Sequence, residues 1–288
     1  MRYRLMRYPG GKPKALTLSY DDGIRADLKL CEILKKYGLK CTFNINSGSL
    51  TLPSMINPNR LTVDEIKEHI VGAGHEIAVH GRRHLAPGIA SAPVAIKDVL
   101  DCRTELEEIF GTVVRGMAYP DTGITKIHYP NSFASIRSYL SELGIVYSRT
   151  LSADNNSFML PEDFLAWVPT AHHNNPNLMK WADEFIEADG YHKIITRRYP
   201  RLFYLWGHSY EFDNNDNWDV IERFAEKMSG RSDIWYATNI EIYEYVEAYG
   251  RLVTSADGSR IYNPTVTEVF MHIDGKEYSV KPGETLVL

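Results

Sequence analysis

Short β-rich apolar runs alternate with helical segments from Lys14 to Tyr249, and this alternation limits the fold more than any other feature of the chain. Lys14 to Tyr20 reads as a first buried strand, rich in Leu and Thr and ended by Gly23. Asp27 to Tyr37 is helical in pattern, with Leu30, Ile33, Leu34 and Tyr37 on one side and Gly38 as its stop. Strands are expected at Cys41 to Ile45 and at His75 to Val79; between them Thr62-Val-Asp-Glu65 has capping-box spacing. Ser91 is expected to cap a long helix with Ile96, Val99, Leu100, Leu106 and Ile109 inward, followed by a strand from Val113 to Ala118. A helix near Ser132 to Leu143 leads to a strand at Ile145 to Ser148. An irregular stretch from Thr150 to about Asn177 contains a strand at Leu165 to Val168. Helices at Met179 to Ala188, Trp218 to Met228 and Asn239 to Tyr249 then alternate with strands at Leu202 to Trp206 and Trp235 to Ala237.

Such a series predicts an α/β fold with a mainly parallel sheet, and seven or eight βα units fit a closed or nearly closed barrel better than an open sheet. No G-x-G-x-x-G or G-x-x-x-x-G-K-[ST] is present, so the nucleotide-binding folds lose their main support. From Arg251 the pattern changes. Asp257-Gly258 and Asp274-Gly275 are hairpin dipeptides between β-rich runs, which predicts a small all-β extension over 251–288 packed on a barrel over 1–250.

The net charge of −5 provides no basic field, so neither nucleic acid nor an anionic membrane is expected as the main partner. Cys31, Cys41 and Cys102 are odd in number and lack CxxC spacing; each reads as a small buried apolar residue. The first nine residues lack the apolar core of a signal peptide and no run approaches spanning length, so the expectation is a cytoplasmic protein.

Polar residues collect at the ends of the expected strands. Asp21-Asp22 closes the first, His80-Gly-Arg-Arg-His84 the third, and His208 follows the Phe203 strand. Active sites of α/β barrels lie at such ends. Two adjacent carboxylates repel each other, and two histidines four apart can face one ion with a carboxylate as third ligand. Such a set leaves coordination positions open, as hydrolytic zinc sites do. On its own the Asp pair also fits a helix cap in a solvated turn. His172-His173, beside Asn174, Asn175 and Pro176, reads as surface or rim; His69, His128, His192 and His272 join no constellation. Trp167, Trp206, Tyr119 and Tyr210 are candidates for a sugar-stacking wall, with barrel packing as the plainer reading.

Taken together these motifs resemble the polysaccharide deacetylases, the NodB-homology group of carbohydrate esterases. Ser19-Tyr-Asp-Asp-Gly23 corresponds to their T-F-D-D-G. Gly74-His-Glu-Ile-Ala78 running into His80 and His84 corresponds to G-H-E followed by H-[ST]-x-x-H, and Leu205-Trp-Gly-His208 to their late L-x-H. The resemblance spans about residues 12 to 250 and implies a distorted (β/α)7 barrel that removes acetyl groups from N-acetylated carbohydrate. It also implies a divalent metal, zinc first and cobalt or nickel next, on Asp22, His80 and His84. Asp21 would be the general base and His208 the general acid.

Three departures stand out. Gly81 occupies the place of the family's hydroxyl residue. Ala118-Tyr119-Pro120-Asp121 replaces R-P-P-Y, which leaves Arg149, Arg83 or Arg115 to orient the base and the Asp121 N–H to meet an oxyanion. The Asp-Trp motif has no clear match beyond Trp167, and Glu211 either touches substrate or orients a neighbour. A related amidohydrolase acting on a small amide or cyclic imide, and a non-catalytic carbohydrate-binding barrel, are the competing readings. The β extension is a candidate homo-oligomer contact.

Overall fold

The computed structural model describes residues 3–151, 158–188 and 199–288; His192, the first two residues and part of the stretch after Thr150 lie outside them. The chain runs β1 (Arg4–Arg7), β2 (Lys14–Asp21), α1 (Asp27–Tyr37), β3 (Thr42–Ile45), α2 (Gly48–Thr51), α3 (Val63–Ile66) and β4 (Glu76–Val79). It continues as α4 (Ala92–Phe110), β5 (Gly116–Ala118), α5 (Phe133–Glu142), β6 (Tyr147–Arg149), β7 (Ala171–His172), α6 (Leu178–Glu187) and β8 (Arg201–Gly207). Then come α7 (Tyr210–Asn214), α8 (Trp218–Met228), β9 (Ile234–Tyr236) and α9 (Asn239–Gly250). The chain ends in β10 (Val253–Thr254), β11 (Arg260–Tyr262), β12 (Val269–Ile273), β13 (Lys276–Val280) and β14 (Thr285–Val287).

The main sheet is parallel, in the order β6-β5-β4-β3-β2-β8-β7, with β9 also on β2. β8 accompanies β2 from Lys14 to Tyr20, while β9 pairs with residues 14–16 and β3 with residues 19–21. The sheet curls until its ends nearly meet. The segment from Trp167 to His172 bridges to Arg149 of β6 at its start and pairs with β8 at its end, which makes a distorted (β/α) barrel. Leu165 to Val168 is therefore not a strand: Phe164–Ala166 forms a 3-10 turn and pairing starts at Trp167.

Every residue of β2 is buried, as expected where helices cover one face and the barrel interior the other. The two-residue period sorts them. Leu16, Leu18 and Tyr20 pack towards the helices with Phe43, Ile45, Ile77, Val79, Met117, Phe203 and Leu205. Ala15 instead joins Tyr147, Trp167, Leu202 and Tyr204 inside the barrel. By the same parity Asp21, Asn44, Asn46, His80, Ala118, Arg149 and His208 project inward at the strand ends. Thr62 and Glu65 form the expected capping box, and Ser132 caps α5. α4 departs from expectation at Leu100, which is exposed; Ala95, Val99, Cys102 and Leu106 form its buried stripe together with Asp98.

The β extension forms two three-stranded antiparallel sheets, β10-β11-β14 and β1-β12-β13. Arg4–Arg7 thus pairs with Val269–Ile273, a partnership that the change of pattern at Arg251 does not reveal. Tyr245 on α9 joins the two parts: its hydroxyl donates to the Arg7 carbonyl at 2.7 Å and accepts from the Phe270 N–H at 2.9 Å. No helix among the described residues is long and apolar enough to cross a membrane.

Candidate active site

Two adjacent carboxylates reach the same space because the chain turns between them. Asp21 ends β2 facing inward, and Asp22 adopts a left-handed backbone (φ 81°) that brings its side chain back beside its neighbour. An aspartate in that conformation costs on the order of 1–3 kcal/mol, so the geometry has to be held from outside. The Asp22 N–H donates to Asn44 O at 2.9 Å and Arg60 donates to its carbonyl oxygen. His84 (φ 59°) and Asp121 (φ 49°) carry the same conformation at the other strand ends.

The two carboxylates live in different surroundings. Asp21 is buried; it accepts from Asn44 Nδ2 at 2.8 Å and from the Arg149 guanidinium. Burial alone would push its carboxyl up, yet Arg149, His80 and His208 together hold it down at about 2. Arg149 is wholly buried, with its guanidinium 4.2 Å from the centre of the Trp206 ring. It therefore supplies the charge that Ala118 cannot. Arg83 is exposed, and Arg115 pairs with Glu244 on α9.

Asp22 Oδ1 lies 3.8 Å from His80 Nε2 and 3.6 Å from His84 Nε2. These three residues can offer ligand atoms within 4.8 Å of one another. His80 makes the case for a cation. Its Nδ1 donates to Ala118 O at 2.9 Å, so a neutral ring turns a bare lone pair at Nε2 towards the carboxylates, buried and without a hydrogen-bond partner. A divalent ion relieves that arrangement and the adjacency of the acids together.

Gly81 explains itself. Its φ is +73°, and a Cβ there would lie 2.5 Å from Asp98 Oδ2. Asp98 on α4 does the bracing instead: its Oδ1 accepts from Arg83 N at 2.8 Å and its carbonyl from Arg82 N at 3.2 Å. Asn46 holds the other side of the loop, donating to the carbonyls of His80 and Gly81.

His208 sits opposite the histidine pair, with Nε2 3.7 Å from Asp21 Oδ2 and Nδ1 3.0 Å from Glu211 Oε1. Burial would lower its pKa, but the bond to Glu211 and the charges of Asp21 and Asp22 raise it. Burial pushes the Glu211 carboxyl up; bonds from His173 and His208 hold it well below the usual carboxylate range. Glu211 thus orients a neighbour. His172, His208 and Glu211 also fall within ligand distance of one another. However, His172 Nδ1 accepts the Asn174 N–H at 3.2 Å, which leaves its proton on Nε2 facing Glu211. That cluster is a carboxylate ringed by donors.

Two expected wall residues lie elsewhere. Tyr119 follows Ala118 in the parity of β5, so its ring turns towards the helices and its hydroxyl donates to Leu165 O at 2.8 Å. Trp167 is buried edge-on between Tyr147 and Tyr204 as interior packing. Trp206 keeps its place beside His208 and Arg149, and Asp121 lies exposed on the rim. An open groove of about 540 Å³ next to Asp22 is lined by residues from other loops, among them Asn57, Asn59, Arg60, Tyr210 and Asp213. His173 is no rim residue either; it is fully buried. Parity from Phe43 and Ile45 is a signal that could have singled out Asn44 and Asn46.

Residues 8–132 match the family model described as polysaccharide deacetylase. Over those residues, a little under half of the chain, it is similar to the polysaccharide deacetylases. The fold recurs in a polysaccharide-deacetylase-like protein of Mycobacterium smegmatis at TM-score 0.59 and 18% identity, over 87% of this chain and 96% of that one. A corresponding Pseudomonas aeruginosa PAO1 protein gives 0.56 and 15%, over 82% and 92%. The PuuE allantoinase gives 0.56 and 14%, over 82% and 91%. No curated protein sequence matches the chain.

Proposed function

We propose that this chain is a metal-dependent N-deacetylase acting on an amino-sugar or a short oligosaccharide. The observation that carries this is the division of labour between adjacent carboxylates. Asp21 is committed to Arg149 and Asn44, while Asp22 faces the bare Nε2 of His80 and the ring of His84. A divalent cation on Asp22, His80 and His84, zinc in the first instance, would supply Lewis acidity towards an amide oxygen and lower the pKa of water. Asp21, kept ionised by Arg149, accepts the proton of the attacking water. His208, kept protonated by Glu211, donates a proton to the departing nitrogen, which would otherwise leave as an unstable amide anion. The groove beside Asp22 favours a sugar: amide and carboxylate side chains match hydroxyl groups, and Tyr210, 39% exposed, offers a ring face for stacking.

The second reading, hydrolysis of a small cyclic imide or ureide, draws on the barrel shared with an allantoinase. One experiment separates the two. Metal-stripped protein is reloaded with zinc, cobalt or nickel, then assayed for acetate release from N-acetylglucosamine oligomers and for allantoin opening. Acetate release restored by metal is the expected result. Turnover of allantoin alone would sink the deacetylase reading, and full activity in the stripped protein would sink both.

A further inference from the structure

Behind His208 a file of side chains leads away from the cleft to the back of β2. Glu211 Oε2 lies 2.9 Å from His173 Nε2, and His173 Nδ1 lies 3.2 Å from the Tyr20 hydroxyl. The imidazole of His173 is stacked between Tyr20, at 5.7 Å between ring centres, and Phe212, at 4.1 Å. Space has been cleared for it. A Cβ on Gly207, the residue before His208, would lie 2.0 Å from His173 Nδ1. Any side chain there would evict the ring.

Proton direction follows from the acceptors. An ionised Glu211 only accepts, so the proton of a neutral His173 sits on Nε2, facing Glu211 Oε2 across 2.9 Å as a close polar contact too bent for a well-aligned hydrogen bond, while Nδ1 receives the Tyr20 O–H. Asn174 Nδ2, at 2.8 Å, and the Nε2–H of His172, at 3.2 Å, also face Glu211 Oε2. With Oε2 so occupied, Oε1 is left for His208. We propose that His173, fixed by Tyr20, is a positioning residue that holds Glu211 as an ionised acceptor and thereby sets the acid strength of His208. This rests on His208 being the proton donor proposed above.

The sign of the effect identifies the role. The His173 N–H competes with the His208 imidazolium for the charge of Glu211. Removing that donor turns more of the carboxylate's charge on His208 and raises its protonation midpoint, whereas removing the charge lowers it. The other titratable groups facing His208 are Asp21 and Asp22 at the end of β2, His172 after β7 and Tyr210 on α7. They are unchanged in every variant below.

The test is an NMR titration of 15N-labelled histidine in zinc-loaded protein, which needs no substrate and therefore stands apart from the choice between sugar and imide. Glu211→Gln is expected to lower the His208 midpoint and His173→Phe to raise it by roughly 0.5–1 pH unit, the scale of one neutral hydrogen bond. Tyr20→Phe should raise it by less. His173→Gln, which keeps a donor, should stay near the native value. These two variants decide the matter should His173→Phe fail to fold. A midpoint unmoved by loss of His173 or of the Tyr20 hydroxyl, or moved downward as in Glu211→Gln, would overturn the proposal.

Discussion

Arg149→Met removes the buried guanidinium beside Asp21 and substitutes an unbranched apolar side chain. In the native protein Asp21 is drawn from 3.8 to about 2 against the effect of burial, which amounts to about 2 kcal/mol of stability. Because the folded value is the lower one, this contribution is complete above 3.8 and disappears as pH falls towards 2. Without Arg149, burial dominates and the folded value moves above the unfolded one. Near neutral pH the variant must either bury an unpaired charge or take up a proton. Breaking such a pair costs about 3–5 kcal/mol, with protonation setting the ceiling. Urea unfolding of the metal-free proteins at several pH values measures the difference. At about pH 7 the variant should be less stable by about 3 kcal/mol, and by about pH 4 the gap should at least halve as its Asp21 becomes neutral. A gap below about 1 kcal/mol, or one that does not change with pH, would show that Arg149 does not set the charge state of Asp21.

Three further outcomes are expected. Asp21→Asn should bind zinc as the native protein does in calorimetry yet lose about 10²–10⁴-fold in turnover, whereas Asp22→Ala should lose the zinc isotherm itself. Gly81→Ser, which restores a hydroxyl at the family's position, should lower the melting temperature and weaken zinc binding, since its Cβ meets Asp98 at φ +73°; equal melting curves would contradict this. Tyr210→Ala should raise KM for a chitooligosaccharide several-fold with little change in kcat, as expected for uniform binding lost from an exposed ring face.

Much of the site could be read in the sequence because its residues stand at strand ends, where a two-residue period fixes which side chains turn inward. Asp21, Asp22, His80, His84 and His208 all meet in the structure. Their partners were harder to find because each arrives from far along the chain. Arg149 lies 128 residues from Asp21, and composition alone could not rank it above Arg83 or Arg115. Asp98 reads as one more polar position on a long helix; only the fold shows that it replaces a missing hydroxyl. The aromatic residues misled in the opposite way. Tyr119 and Trp167 lie close in sequence to functional positions, but one falls on the wrong parity and the other fills the interior. His173 looked solvated among asparagines, yet three aromatic contacts and the gap at Gly207 enclose it.

The pairing of β1 with β12 has a consequence for how the molecule is made. Residues 4–7 are translated more than 260 positions before residues 269–273, with which they pair, while β2, the next strand, needs β8 along its whole length. A nascent chain also carries Met6 and Tyr8 without most of their core partners until Leu202, Tyr204, Ala237, Ile242 and Tyr245 have been made. Contacts of such long range slow folding and prolong exposure to aggregation. A chain halted before residue 269 should depend on chaperones far more than one that includes β12, although Asp21, Asp22, His80, His84 and His208 have already been translated.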